Sequence, residues 1–396
     1  METKKKKDLA SIATIPLAMT LANSMLIPVL PAMQKKLGIS AFQASLLITA
    51  YAFIAILFIP LAGYLSDRLG RKKVIATGLL IVAASGAFTG WASVFLAKPY
   101  PWLLAGRLAQ GLGASACFPV VLPLVGDLFR REEDVSNGLG IVETANTFGK
   151  VVSPILGSAL ALWAWQAPFW SIPVFSVVSL ALVAAWVKAP KREEPPVPFA
   201  AFAKSVAEIF RSEGRWLWGV FVAGGLNMFA IFASLFALSE KLEDKGIGGI
   251  GKGGLIAIPL VGLCATSWAV GKWIGNRKKL MKWISVAGFV EAAGCLAGIG
   301  LWGKPSPAWI IGLLFAASIG LGAALPSLDA LITEGIEKKQ RGTVMSIYSS
   351  IRFLGVAAGP PLAALIVARS ESALFWLLGA ASLVSAVVVW RAIRPD

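Results

Sequence analysis

Twelve apolar windows punctuate the chain, each about 20 residues long, enough for a helix to cross roughly 30 Å of hydrocarbon. They lie near residues 9–30, 42–64, 74–97, 102–127, 138–163, 168–188, 216–239, 253–275, 280–303, 307–333, 343–367 and 371–392. Backbone amides in lipid find no water, so every window must satisfy its own hydrogen bonds. None alternates in the manner of a barrel strand, and all twelve are therefore expected to be α-helices. Charged residues supply only 15% of the 396 positions, against about 25% in a soluble domain, and they gather between the windows. The expected fold class is an all-α integral membrane protein.

A net charge of +16 would suit a nucleic-acid binder if it were spread over one face. Instead the Lys and Arg residues concentrate in alternate loops: Lys4–Lys7, Arg68–Lys73, Arg130–Arg131, Lys188–Arg215, Arg277–Lys282 and Lys338–Arg341. That asymmetry places these loops and both termini in the cytoplasm of a multi-pass protein of the bacterial cell membrane. No nucleic-acid partner is implied. Cys117, Cys264 and Cys295 fall inside apolar windows and read as small core residues. The chain has no His, so a proton relay would rest on carboxylates. No nucleophile–base pair, metal-ligand cluster or cofactor fingerprint is present, which argues against an enzyme, a cofactor or a metal.

One long polar connection, residues 189–215, divides the windows six and six, giving halves at 1–188 and 216–396. It opens with a charged, proline-rich stretch. Phe199, Phe202, Ala203, Val206, Ile209 and Phe210 follow at helical spacing, as expected for a short amphipathic helix on the membrane surface. The halves echo one another. Arg71-Lys72-Lys73 recurs as Arg277-Lys278-Lys279, and the Gly149–Pro154 segment recurs as Gly355–Pro360, at an identical offset. A parallel duplication of six helices follows, with a site expected between the halves at mid-membrane.

Three motifs carry a resemblance. Gly63, Asp67, Arg68, Gly70 and Arg71 join the second and third windows. Arg107 lies in the fourth, followed by Gln110, Gly111 and Gly113. The fifth holds Gly149, Pro154 and Gly157. Together they resemble the major facilitator superfamily, and within it the twelve-helix drug/proton antiporters. The resemblance implies a monomeric secondary transporter of two pseudo-symmetric six-helix bundles that exports small amphipathic or organic molecules in exchange for protons. The first motif would then latch the halves on the cytoplasmic side, with Asp67 near the start of the eleventh helix around Thr343. Arg107 would belong to proton coupling, and the fifth-helix motif would mark export. Gly111, Gly113, Gly149, Pro154, Gly157, Gly359 and Pro360 would serve close helix packing. Asn23 stands where relatives often carry an acid, which leaves the proton site open.

Ionisable residues at membrane depth point to function by default. Glu143, Thr147, Lys150 and Pro154 share one helix face. Lys150 lies roughly 18 Å from the end of its window and Arg352 roughly 14 Å from the end of its own. These cations, with Asn23 and Asn227, are candidate cavity residues. They can receive an anionic substrate, or they can hold a carboxylate such as Glu143 or Asp329 in a pair that opens and closes with protonation. An organic-anion carrier is thus the alternative within transport, and a lipid flippase the alternative outside it. Membrane lipids, protons and a small molecule are the expected partners. Gly246–Gly253 nearly matches a phosphate-binding loop, but it lacks the Ser or Thr and the flanking strand that such a loop needs. It is expected to be a flexible external loop.

Overall fold

The computed structural model describes residues 3–129, 132–188, 208–211, 214–275, 277–302, 305–336 and 340–393. The connection at 189–207 lies outside them, and so does most of the expected amphipathic helix. Thirteen helices longer than one turn account for nearly all the described residues: α1 (Thr3–Ser24), α2 (Leu30–Leu37), α3 (Ala41–Leu69), α4 (Arg71–Phe95), α5 (Tyr100–Leu128), α6 (Glu132–Trp163), α7 (Ala167–Trp186), α8 (Gly214–Asp244), α9 (Gly249–Trp273), α10 (Lys278–Leu301), α11 (Pro307–Gly335), α12 (Arg341–Val367) and α13 (Glu371–Ala392). A 3₁₀ turn at Ile27–Val29 joins α1 to α2. Pro28 and Pro31 remove two backbone donors there, so the first span bends but continues. Counting α1 and α2 as one, the described residues form twelve long helices.

Among the described residues, eleven spans are long and apolar enough to cross a membrane by composition. The other is α6, whose middle carries Glu143, Asn146, Thr147 and Lys150. A helix that crosses lipid with that content must turn it inward. Phe53, Leu57, Val174, Val177 and Leu383 instead point outward and are more than half exposed, as a lipid-facing surface requires.

Packing repeats with the duplication. In the first bundle α4 packs on α5 and α7, α1 on α6 and α7, and α3 on α5. In the second, α10 packs on α11 and α13, α8 on α12 and α13, and α9 on α11. The bundles meet along two seams, α3 with α12 and α6 with α9, which are copies of each other under the repeat. Each seam needs near contact of backbones. Gly253 in α9 presses on the Pro154 carbonyl of α6, where a methyl group would collide. The expected flexible loop at 246–253 is therefore corrected: α9 begins at Gly249, and Gly249 and Gly253 meet Leu162 and Pro154 of the first half.

Candidate functional site

Between the bundles, α1, α3, α5 and α6 of one half face α8 and α12 of the other around a cleft of about 630 Å³. Asn23, Asn146, Lys150, Ser349 and Arg352 give it polar groups, and Tyr51, Phe118, Phe232 and Phe353 give it aromatic walls. Lys150 and Arg352, expected to face each other across the halves, both line it. Lys150 lies within the electrostatic reach of Glu143, Asp329 and Arg352. An Arg352 nitrogen stands 3.4 Å from Asp329 Oδ1, and the guanidinium lies over the Tyr348 ring at 5.5 Å. Asn146 donates to Glu143 at 3.1 Å and accepts from Thr20 at 2.6 Å. Lys150 and Arg352 thus line the cleft, while Asp329 stands behind Arg352 and Glu143 lies near Lys150, both outside the lining. Asn227 is not among the lining residues. It is buried and donates to the Leu321 carbonyl at 3.1 Å, tying α8 to α11.

Arg107 forms a separate centre. It is 0% exposed, so its position near a helix start does not let it reach water. Its fork donates to the Leu47 carbonyl at 2.8 Å, the Ala22 carbonyl at 3.1 Å, Gln110 at 2.6 Å and Asn23 at 2.5 Å. The Tyr51 ring stacks beneath it at 4.6 Å. Every one of these acceptors is neutral. With Asn23 as its side-chain partner on α1, the arginine is held by dipoles and by a ring face rather than by a counter-charge. Gly111 makes this possible, since any side chain there would strike the Tyr51 carbonyl. Gly113 abuts Gly78, Gly157 abuts Met25, Gly149 lies beside Thr20, and Gly359 lies beside Phe229 and Ala233. Pro154 and Pro360 sit inside α6 and α12.

For position along the membrane normal, the end bearing the N-terminus is proximal and the opposite end distal. At the proximal end Gly63 of α3 lies beside Ser346 of α12. Gly70 turns the chain with φ +97°. Arg71 pairs with Asp67 at 3.5 Å and with Asp127 of α5 at 2.8 Å. Arg68 is exposed. Asp127 was not singled out by sequence, and its pairing with the motif depends on α5 returning to the same end.

The distal end is closed by contacts that sequence reading missed. Gln34 of α2 donates to Glu240 of α8 at 2.7 Å, and Lys35 pairs with Glu243 at 2.6 Å. The second oxygen of Glu243 takes Lys252 of α9 at 3.1 Å, and Lys252 is only 2% exposed. Ser239 donates to the Ile27 carbonyl at 3.0 Å. Nothing in the local pattern of these residues differs from an ordinary polar loop.

A family model described as the Major Facilitator Superfamily matches residues 12–301 and 281–396. The chain belongs to the major facilitator superfamily. It is a multi-pass membrane transporter, not an enzyme. It is 48% identical over 385 residues to the bacillibactin exporter of Bacillus subtilis (strain 168), covering 97% of this chain and 95% of the relative. It is 27% identical over 360 residues to a chloramphenicol resistance protein of Pseudomonas aeruginosa, covering 85% of this chain and 78% of that one. The crystal structure of the human organic anion transporter MFSD10 (TETRAN) superposes with a TM-score of 0.76 at 20% identity, over 98% of this chain and 100% of that chain. This last likeness concerns the fold.

Proposed function

We propose that this major facilitator transporter exports a small organic compound in exchange for protons, with bacillibactin as the first compound to test. The observation that carries the reading is the charge cluster at the cleft wall: Lys150 and Arg352 line an aromatic-walled cleft, with Asp329 paired to Arg352 and Glu143 within reach of Lys150. A carboxylate that leaves its cation on protonation changes the charge of the cleft, and that gives the protein a means to make substrate and proton alternate. The name of the 48% identical relative supports export and suggests the compound. In this reading both termini and the proximal end are cytoplasmic, in keeping with the basic loops. The halves 1–188 and 216–396 rock as a monomer about the cleft, with 189–215 as their connection, the Gly63–Arg71 segment latching the proximal end and the Glu243 contacts the distal end.

A second reading is an organic-anion carrier in which Lys150 and Arg352 bind the substrate directly. The two cations on the cavity wall favour it. Production of this chain in a Bacillus subtilis strain lacking its bacillibactin exporter tests export. Bacillibactin in the medium is expected to return to the level of the parent strain. Protein present in the membrane with neither bacillibactin secretion nor tolerance to toxic dyes would overturn the efflux reading.

A further inference from the structure

The duplication placed the same basic triplet at the proximal end of both halves, but the halves use it differently. In the first half Arg71 is neutralised by Asp67 and Asp127, and Lys72 donates to the Ala184 and Val187 carbonyls at 2.9 and 2.6 Å. At the equivalent positions of the second half both acids are gone: Trp273 stands for Asp67 and Thr333 for Asp127. Arg277 folds back onto the Trp273 carbonyl at 2.6 Å. From Lys245 to Val290 the chain has no acidic residue at all. Among the described residues, Lys272, Lys278, Lys279 and Lys282 have no ion-pair partner. Lys278, Lys279 and Lys282 crowd the first turn or so of α10, and no side chain caps its start. Cations are disfavoured at that end of a helix, so the local field calls for an anion.

The same surface carries exposed indoles. Trp268, Trp273 and Trp283 are 60%, 75% and 55% exposed. Lys272 lies 5.3 Å from the Trp268 ring centre and Lys282 lies 5.7 Å from that of Trp283. Tryptophan favours the headgroup level, where one part of the ring meets lipid and the N–H meets water. A basic cluster flanked by indoles at that depth matches a phosphate carried on an acyl chain better than a phosphate free in water.

We propose that the α9–α10 turn is a binding site for the headgroup of an anionic phospholipid, with Lys278, Lys279 and Lys282 on the phosphate and Trp273 and Trp283 against the glycerol and acyl region. The second half is thereby anchored to lipid at the place where the first half is tied to itself. Purified protein in neutral detergent, mixed with equal phosphatidylglycerol and phosphatidylcholine, tests this by native mass spectrometry of retained lipid. Each lysine near an anionic headgroup is worth about fivefold in affinity. The wild type is expected to retain phosphatidylglycerol in preference, K278Q/K279Q/K282Q to lose that preference, and Lys73→Gln in the first half to keep it. Should the triple variant not fold, Lys279→Gln alone is expected to lower the preference about fivefold. Undiminished preference in these α10 variants would overturn the proposal. So would displacement of the lipid by an equal concentration of glycerol 3-phosphate, which would assign the site to a soluble phosphate.

Discussion

A fully buried arginine with only neutral acceptors is the sharpest residue-level fact in this protein. Arg107 serves four oxygens drawn from α1, α3 and its own helix, so it fastens three spans at once. Arg107→Ala would leave those buried acceptors unmet at about 1–3 kcal/mol each. Arg107→Lys would replace a planar fork by a point charge that cannot reach all four. Both variants are expected to lose thermal stability, measured by fluorescence-detected size exclusion, with Lys the milder. A different outcome is expected at two carboxylates. Glu143→Gln removes a carboxylate near Lys150, and Asp67→Asn, at the proximal end, removes a partner of Arg71. Each is expected to abolish proton-driven transport while expression and melting temperature stay near wild type, and full activity in both would count against proton exchange as proposed. The intramembrane charges themselves were legible in sequence, because hydrocarbon makes each one conspicuous. Their partners were not. Asn23 was expected in the cavity, and it does line the cleft, but it also holds Arg107. Asn227 was expected there too, yet it is spent on the Leu321 carbonyl. Polar side chains on a helix advertise depth, whereas the facing element decides what they meet.

Among the elements, the helices and their repeat were readable because lipid fixes their length and the duplication copies their motifs. The ends of α2, α8 and α9 were not, since a charged helix end and a charged loop look alike in one dimension. Lys35, Glu243 and Lys252 belong to three different helices, and only the approach of the bundles makes them a latch. Lys35 is mostly exposed and its pair is worth less than about 1 kcal/mol. The pair of Glu243 with Lys252 lies within the second half and orients Glu243 toward Lys35. Glu243→Gln is therefore expected to favour opening of the distal end by no more than about fivefold, equivalent to ~1 kcal/mol. The check is labelling of a Ser24→Cys variant, at the cavity wall, by a membrane-impermeant maleimide added from the distal side. Glu240→Gln, which keeps its contact with Gln34 as a neutral amide, is expected to change the labelling rate little. Equal rates in Glu243→Gln and its parent would show that the apolar contacts of α1 and α8, rather than the ion pairs, hold this end shut.

At the scale of the whole molecule the charge cluster at the cleft wall makes a prediction about the sign of coupling. If the substrate is neutral or cationic, it and the proton compete for Glu143 and Asp329, and the two move in opposite directions. If the substrate is an anion, it takes Lys150 and Arg352 away from those carboxylates. The freed carboxylates then hold protons more tightly, so substrate and proton would travel together. Export could then draw on the membrane potential only where the substrate carries more negative charges than the protons that accompany it, at about 2.3 kcal/mol per net charge and 100 mV. Inverted vesicles separate the cases, because their interior corresponds to the cell exterior. The exchange reading expects uptake of labelled substrate driven by an acid interior at zero potential, abolished by nigericin in potassium and by Glu143→Gln. For an anion whose charge exceeds that of its protons, the anion reading expects uptake driven by an interior-positive potential, abolished by valinomycin in potassium and by Arg352→Ala, with Glu143→Gln still active. The closeness of Arg352 to Asp329 makes the two outcomes exclusive for any one substrate. Arg352 and Asp329 stand paired in this structure, and whichever ligand opens the pair, proton or organic anion, sets the direction in which the proton moves.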